Sequence, residues 1–288
     1  MDTKTWVRIG VNTFLFASPF QTASCSLFPL FKALGAEGVE LALEKKGDID
    51  LPMALDALNR EGLKCMSICG AYGPGRDLRG TPEEQQTSLR YMRDCIDACA
   101  AIGAGLFVGP HYSVVGRAKA ESKEAKKEQW KIVVGHLKEM CKYAADRGVI
   151  LAVEPLNRFE TDFININRDA VRLCEDVGAD NIGVHMDLFH AGIEERNVPL
   201  SIVETGERLL HVHASDNYRG APGTGSFDWQ GIRDALAMIE YDGWVVLETF
   251  TPDVEIIAKA AAIWRDFEES NEILARKGLG FLQALFAR

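Results

Sequence analysis

The fold is decided by residues 150–187, ILAVEPLNRFETDFININRDAVRLCEDVGADNIGVHMD. This stretch begins with one short apolar run, residues 150–156, and ends with another, Ile182–Asp187. Between them, residues 168–177 have the apolar spacing of an amphipathic helix. Parallel strands need a crossover connection, which is usually a helix. The stretch therefore predicts a strand–helix–strand unit of a parallel sheet.

The same pattern covers the chain as eight short apolar runs that start 26 to 45 residues apart. The runs are residues 8–14, 38–43, 64–70, 105–110, 150–156, 182–187, 209–215 and 244–250. Eight strands alternating with helices in fewer than 300 residues predict a (β/α)8 TIM barrel. No linker or change of composition divides the sequence, so we expect a single domain over residues 1–288. An open doubly wound sheet is the alternative, although no GxGxxG turn follows the first strand.

Helix signals fill the gaps between these runs. Pro52 and Gly62 bracket one helix, and Thr81-Pro-Glu-Glu84 is a capping box at the start of another. Further helices are predicted over residues 123–147, 168–177, 228–239 and 252–267, and the weakest signal lies at residues 198–210. The apolar tail, residues 273–286, is expected to pack on the barrel or on a partner.

Composition excludes several classes of protein. The 288 residues are 47% hydrophobic and 26% charged, which excludes disorder. The net charge of −10 argues against a large surface that binds nucleic acid. No apolar run is long enough to cross a membrane, and residues 1–10 lack the pattern of a signal peptide. Seven scattered cysteines are typical of buried, reduced thiols, so we expect a cytoplasmic protein.

The last four predicted strands each carry a polar residue at or near the carboxyl end. These residues are Glu154, Asp187, His213 and Glu248. Active sites of TIM barrels lie at the carboxyl ends of the strands, so these side chains are expected to meet in one volume. Because an unpaired buried charge is costly, a divalent cation would neutralise them.

The set of three carboxylates and one imidazole favours a hard, oxygen-seeking ion. It therefore favours Mn2+, Mg2+ or Co2+ over the zinc of a thiolate-type site, without deciding among the three. His185 and His211 lie two residues before Asp187 and His213, so they are expected in the core or behind the metal ligands.

Four ordered segments carry a family resemblance. They are residues 153–160 (VEPLNRFE), 187–195 (DLFHAGIEE), 211–229 (HVHASDNYRGAPGTGSFDW) and 241–248 (YDGWVVLE). Together they resemble the ketose 3-epimerases, which include the D-tagatose and D-allulose 3-epimerases within the xylose-isomerase-like barrels. The sequence departs from that pattern at residues 214–217 (ASDN), where many relatives carry Gly-Glu, and at residues 191–192 (AG), where Met-Asn is common.

The resemblance implies a metal-dependent isomerase that inverts C3 of a free ketose through a cis-enediolate. It implies that Glu154 and Glu248 are both metal ligands and the acid/base pair, and that Asp187 and His213 complete the metal site. It further implies that three residues hold the C1 to C2 end of the sugar, namely Glu160, His190 and Arg219. The family also suggests a homodimer or homotetramer.

Other functions stay open at this stage. An aldose–ketose isomerase or a polyol dehydratase could use the same barrel and metal site. An endonuclease IV-like phosphodiesterase would need more histidine ligands and a basic surface, and a sugar-binding barrel would need no acid/base pair. Four residues could face the sugar or lie in loops, namely Glu40, Glu44, His111 and Tyr112. Four aromatic residues could line the pocket or pack elsewhere, namely Phe14, Phe16, Trp229 and Phe250.

Overall fold

Eight parallel strands form a closed barrel in the computed structural model, which describes residues 5–288. The strands are β1 (Arg8–Asn12), β2 (Gly38–Leu43), β3 (Lys64–Gly70), β4 (Leu106–Gly109), β5 (Ile150–Val153), β6 (Ile182–Asp187), β7 (Leu209–Ala214) and β8 (Trp244–Leu247). Residues 1–4, the start of the N-terminal stretch considered above, lie outside the described part of the chain.

The barrel closes between its first and last strands. β1 pairs with β2, where Gly10 lies opposite Gly38, and also with β8, where Arg8 lies opposite Trp244. The strand order around the barrel follows the sequence order, so the predicted (β/α)8 barrel is confirmed and the open doubly wound sheet is excluded. Several strands end earlier than predicted. β5, for example, ends at Val153 because Pro155 has no N–H group with which to continue the ladder.

Helices surround the barrel. They are α1 (Phe28–Ala33), α2 (Leu51–Glu61), α3 (Pro82–Ile102), α4 (Lys123–Ala145), α5 (Asn167–Val177), α6 (Leu188–Glu194), α7 (Val198–Thr205), α8 (Trp229–Met238), α9 (Glu255–Ala260) and α10 (Asn271–Leu285). Short 3-10 turns occupy Thr13–Leu15, Thr22–Leu27 and Gly206–Arg208. No helix within residues 5–288 is long and apolar enough to span a membrane.

The helix boundaries follow the predicted signals in most places. Thr81 and Glu84 form the predicted capping box, in which each side chain accepts the backbone N–H of the other residue. The helix predicted over residues 252–267 is wrong in length, because α9 ends at Ala260 and Ala262 adopts a positive φ of 55°. The apolar tail packs on its own barrel, since α10 contacts β1 and β8 and the carbonyl of Phe286 accepts the N–H of Trp6 at 3.1 Å.

Large side chains close the N-terminal end of the barrel. Trp244 and Met66 are buried there together with Val246. A Cβ atom on Gly38 would lie 2.8 Å from the ring of Trp244, so this position requires glycine. The opposite end, where the strands finish, is therefore the end at which a substrate can enter.

The cysteines contribute to packing. All seven are free thiols, six are buried and Cys25 is half-buried. This agrees with the expectation of reduced, buried side chains.

Candidate active site

The four polar residues of the last four strands meet at the carboxyl end of the barrel. Asp187 is the last residue of β6 and lies opposite His213 of β7. Glu154 and Glu248 directly follow β5 and β8, and their N–H groups still donate to the neighbouring strands, at 3.0 and 3.2 Å. All four side chains are buried. The ladder therefore holds their backbones at matching heights.

Three of these side chains are close enough to share one cation, and Glu248 lies next to one of them. Ligand atoms of Glu154, Asp187 and His213 lie within 4.8 Å of one another. Nδ1 of His213 lies 3.1 Å from Oε2 of Glu248. That nitrogen is buried and has no hydrogen-bond partner within residues 5–288. Buried polar atoms usually have a partner, so this nitrogen is free to bind a metal ion. Three carboxylates and one imidazole therefore fit a divalent metal.

Arg219 supplies a positive charge to this cluster. Its Nη1 donates to Oδ2 of Asp187 at 2.6 Å and to Oε2 of Glu248 at 3.0 Å. The guanidinium also lies over the rings of Phe189 and Phe250. The backbone of Arg219 has a φ of 67°, a conformation uncommon for a residue other than glycine, at the point where the loop after β7 places this side chain among the carboxylates.

The pKa values of two carboxyls shift in opposite directions. Burial and the charge of Asp187 raise the pKa of Glu154 well above its usual range. Burial also opposes ionisation of Asp187, but the positive charges of Arg219, His190 and His213 together outweigh it and bring the pKa of Asp187 down to about 2. The positive side chains of the protein therefore only partly compensate the negative charge of these crowded carboxylates. A bound cation would supply the missing positive charge.

A second group of side chains approaches from the loop after β5 and from α6. The Nδ2 atom of Asn157 donates to Glu160 Oε1 at 2.8 Å, and the N–H of Asn157 donates to Nδ1 of His190 at 3.2 Å. This turns Nε2 of His190 inward, 3.2 Å from Nη2 of Arg219 and 3.7 Å from Oδ2 of Asp187. The structure thus brings Glu160, His190 and Arg219 to one side of the carboxylate cluster.

Further histidines lie deeper in the barrel. His185 and His211 are fully buried, and their ring nitrogens come within 4.8 Å of a nitrogen of His213. Nε2 of His211 lies 2.8 Å from Oε2 of Glu40, and Nδ1 of His185 lies 3.8 Å from Oε2 of Glu154. Both therefore lie beside the carboxylate cluster.

Four residues could face the sugar or lie in loops according to the sequence, and the structure gives each of them a definite position. Glu40 lies inside the barrel and is fully buried, so it is not a loop residue. Glu44 follows β2 and accepts a hydrogen bond from Ser18. His111 contacts Tyr72 Oη at 2.8 Å and the carbonyl of Phe107 at 3.0 Å. Its position is that of a packed core residue, and the buried Tyr112 likewise bonds to backbone carbonyls.

The four aromatic residues named from the sequence fall into two groups, one at the barrel mouth and one in packing contacts elsewhere. Phe14 and Phe250 pack in an apolar cluster at the barrel mouth with inward-facing Ala42, Cys69 and Val108. Phe16 packs against Phe31 with the rings tilted, and Trp229 meets Phe281 edge to face, so these two aromatic residues serve packing.

Asn12 and Ser67 complete the site, and neither was predicted from the sequence. The Nδ2 atom of Asn12 donates to Glu40 at 2.7 Å and to Glu248 at 3.1 Å, and Ser67 Oγ donates to Glu40 at 2.5 Å. Both occupy inward-facing positions of β1 and β3. Polar residues among apolar neighbours on those strands are the only sequence signal that would have indicated them.

Comparison with known proteins agrees with this architecture. The family model for the xylose isomerase-like TIM barrel matches residues 28–284. A probable ketose 3-epimerase of Synechocystis is 30% identical over 97% of each chain, and a ketose 3-epimerase of Arthrobacter globiformis is 30% identical over 86% of each. The structure of an L-ribulose 3-epimerase superposes with a TM-score of 0.91, 25% identity, and coverage of 97% of this chain and 94% of the other.

The chain therefore belongs to the ketose 3-epimerase family of xylose isomerase-like TIM barrels. Epimerases are isomerases, so the predicted enzyme class is confirmed together with the family resemblance.

Proposed function

We propose that this protein is a metal-dependent epimerase that inverts C3 of a free ketose. The observation that carries the proposal is the meeting of two buried glutamates, Glu154 and Glu248, around the His213 imidazole at the substrate end of the barrel. The names of the relatives support the class of reaction.

Inversion beside a carbonyl removes a carbon-bound proton and returns a proton to the opposite face. This requires two groups that flank the carbon. Glu154 follows β5 and Glu248 follows β8, so they approach the mouth from separate sides of the barrel. In this proposal one glutamate takes the C3 proton to give a cis-enediolate, and the other delivers a proton from the opposite side. Interconversion in the reverse direction exchanges the two roles.

Four side chains would hold the metal: Glu154, Asp187, His213 and Glu248. When bound, a divalent cation would polarise the substrate carbonyl and stabilise the negative charge that develops on oxygen. The Arg219 guanidinium, which already lies among the carboxylates, would also stabilise this negative charge.

Three side chains would orient the C1 to C2 end of the sugar, namely Glu160, His190 and Arg219. Asn157 holds Glu160 and His190 by hydrogen bonds, so these groups are in place before a ligand arrives. The apolar surface of Phe14, Phe250 and Val108 at the mouth suits a neutral sugar better than a phosphorylated one.

A ketose screen tests this function. Protein loaded with Mn2+ is incubated with D-fructose, D-tagatose or L-ribulose, and the products are separated by chromatography. We expect the C3 epimer of at least one ketose. Appearance of an aldose would indicate an isomerase instead, and loss of water would indicate a dehydratase. No conversion of any ketose would contradict the proposal.

The remaining alternatives have equally direct tests. Nicking of an abasic DNA duplex would indicate the endonuclease-type function. Binding of sugar without turnover by the metal-loaded protein would indicate a sugar-binding barrel.

The finer expectations on metal, assembly and location are part of the proposal. We propose Mn2+ as the resident ion, with Co2+ or Mg2+ as substitutes, and a homodimer or homotetramer in the cytoplasm. Metal analysis of the purified protein tests the first, and light scattering tests the second.

A further inference from the structure

We propose that Glu40 is a positioning residue of the metal centre, which holds the ring of His213 so that Nδ1 is presented to the cation. This inference rests on the proposed metal site. It assigns a role to the first strands of the barrel, which supply none of the four proposed ligands.

Glu40 is fully buried on β2, where it accepts three hydrogen bonds and has the ring of His211 beside it. Its Oε1 is 2.7 Å from Asn12 Nδ2 and 2.5 Å from His213 Nε2. Its Oε2 is 2.5 Å from Ser67 Oγ and 2.8 Å from His211 Nε2. A carboxylate offers about four lone-pair positions, so three of them accept hydrogen bonds here and the His211 ring lies next to the same carboxylate. Such a buried charge is tolerated only when it is fully paired.

These contacts determine which nitrogen of His213 carries hydrogen. An ionised carboxylate can only accept, so Nε2 of His213 must be the N–H that points at Glu40. The lone pair of a neutral His213 then lies on Nδ1, which faces Glu248 Oε2 at 3.1 Å. A carboxylate behind a histidine is the common arrangement by which proteins orient a metal-binding imidazole.

The same carboxylate also controls Glu248 through Asn12. Oδ1 of Asn12 accepts the N–H of Phe14 at 2.8 Å, which fixes the direction of the amide. Nδ2 must then face Glu40 and Oε1 of Glu248. The second oxygen of Glu248 is left facing His213 and Arg219. Glu40 therefore orients one proposed metal ligand directly and a second through a single amide.

Replacement of Glu40 by Gln tests this role with little change of shape. Glutamine is neutral and has one acceptor oxygen in place of two, so it cannot accept from Asn12, Ser67 and His213 together as the carboxylate does. His213 therefore loses the charged acceptor that fixes its N–H on Nε2, and we expect this loss to weaken metal binding. Glu37→Gln is the matched control, because Glu37 precedes the same strand but is exposed.

The readout is Mn2+ affinity, measured by calorimetry without any sugar. We expect Glu40→Gln to bind Mn2+ about 10- to 100-fold more weakly than the wild type, as is typical for loss of such a partner. Glu37→Gln should leave the affinity unchanged. A folded Glu40→Gln protein with wild-type affinity would overturn the role of Glu40. Failure of the wild type to bind any divalent ion would instead overturn the metal site itself.

A second measurement does not depend on a variant. Nitrogen-15 NMR of the Mg2+-loaded wild type should show the proton of His213 on Nε2. A proton on Nδ1 would overturn the inference. In the calorimetry, binding of a second Mn2+ by the wild type that is lost in Glu40→Gln would also overturn it, because Glu40 and the deeper histidines would then be ligands themselves.

Discussion

Replacement of Arg219 by Met removes the positive charge that the protein places among its own carboxylates. Arg219 Nη1 lies 2.6 Å from Asp187 and 3.0 Å from Glu248, and only 6% of the side chain is exposed. Breaking a buried ion pair by removing one partner typically costs about 3–5 kcal/mol, because the remaining charge stays buried. We therefore expect Arg219→Met to lower the free energy of unfolding of the metal-free protein by about that amount.

The chain offers a matched control in Arg276→Met. Arg276 also pairs with a glutamate, Glu272, at 2.8 Å, but 61% of the Arg276 side chain and 48% of the Glu272 side chain are exposed. An exposed pair contributes about 0–1 kcal/mol, so this variant should remain close to the wild type.

The assay is urea unfolding of EDTA-treated protein, followed by circular dichroism. Addition of Mn2+ should restore part of the stability of Arg219→Met, since a cation can replace the missing charge. If Arg219→Met is no less stable than Arg276→Met, the guanidinium does not neutralise the buried carboxylates and our electrostatic description is wrong.

Three further predictions address catalysis, pH dependence and thiol chemistry. Replacement of Glu154 or Glu248 by Gln removes one proton-transfer group and should lower kcat about 10²- to 10⁴-fold in steady-state assays. Full activity in either variant would exclude the two-base mechanism. Burial lowers the pKa of His111 to about 4, so the unfolded state binds the proton first as the pH falls. The stability due to His111 is present above pH 6.5 and should be lost towards pH 4, by about 3 kcal/mol in urea titrations, and His111→Phe should remove this loss. If the variant shows the same acid loss, His111 is not its source. Burial raises the pKa of the six buried thiols, so a thiol reagent should modify only Cys25 rapidly in the folded protein. Rapid modification of a second cysteine would contradict the packing.

The barrel and one half of the site could be predicted from the sequence because their signals are local. Each strand is a short apolar run, and each of the last four carries its polar residue at or next to the carboxyl end, as Asp187 and Glu248 show. Once the barrel was predicted, strand ends had to meet. Fold class and the proximity of the four polar residues therefore follow from spacing alone.

The other half of the site could not be predicted because it depends on contacts across the closed barrel. His213 meets Glu40, which is 173 residues away in sequence, and Asn12 meets Glu248 across 236 residues. A single polar residue inside an apolar strand is equally compatible with a loop-facing or a buried position. Only the register of β1, β2 and β8 shows that these groups face the interior.

Deuterium exchange tests the central claim most directly. The Mn2+-loaded protein is incubated with a converted ketose in deuterated water, and the sugar is followed by NMR. Two-base inversion at C3 predicts deuterium at C3 of the product and none at C1, with the signal lost in Glu154→Gln and Glu248→Gln. Exchange at C1 with no exchange at C3 would contradict the proposed reaction and indicate an aldose–ketose isomerase.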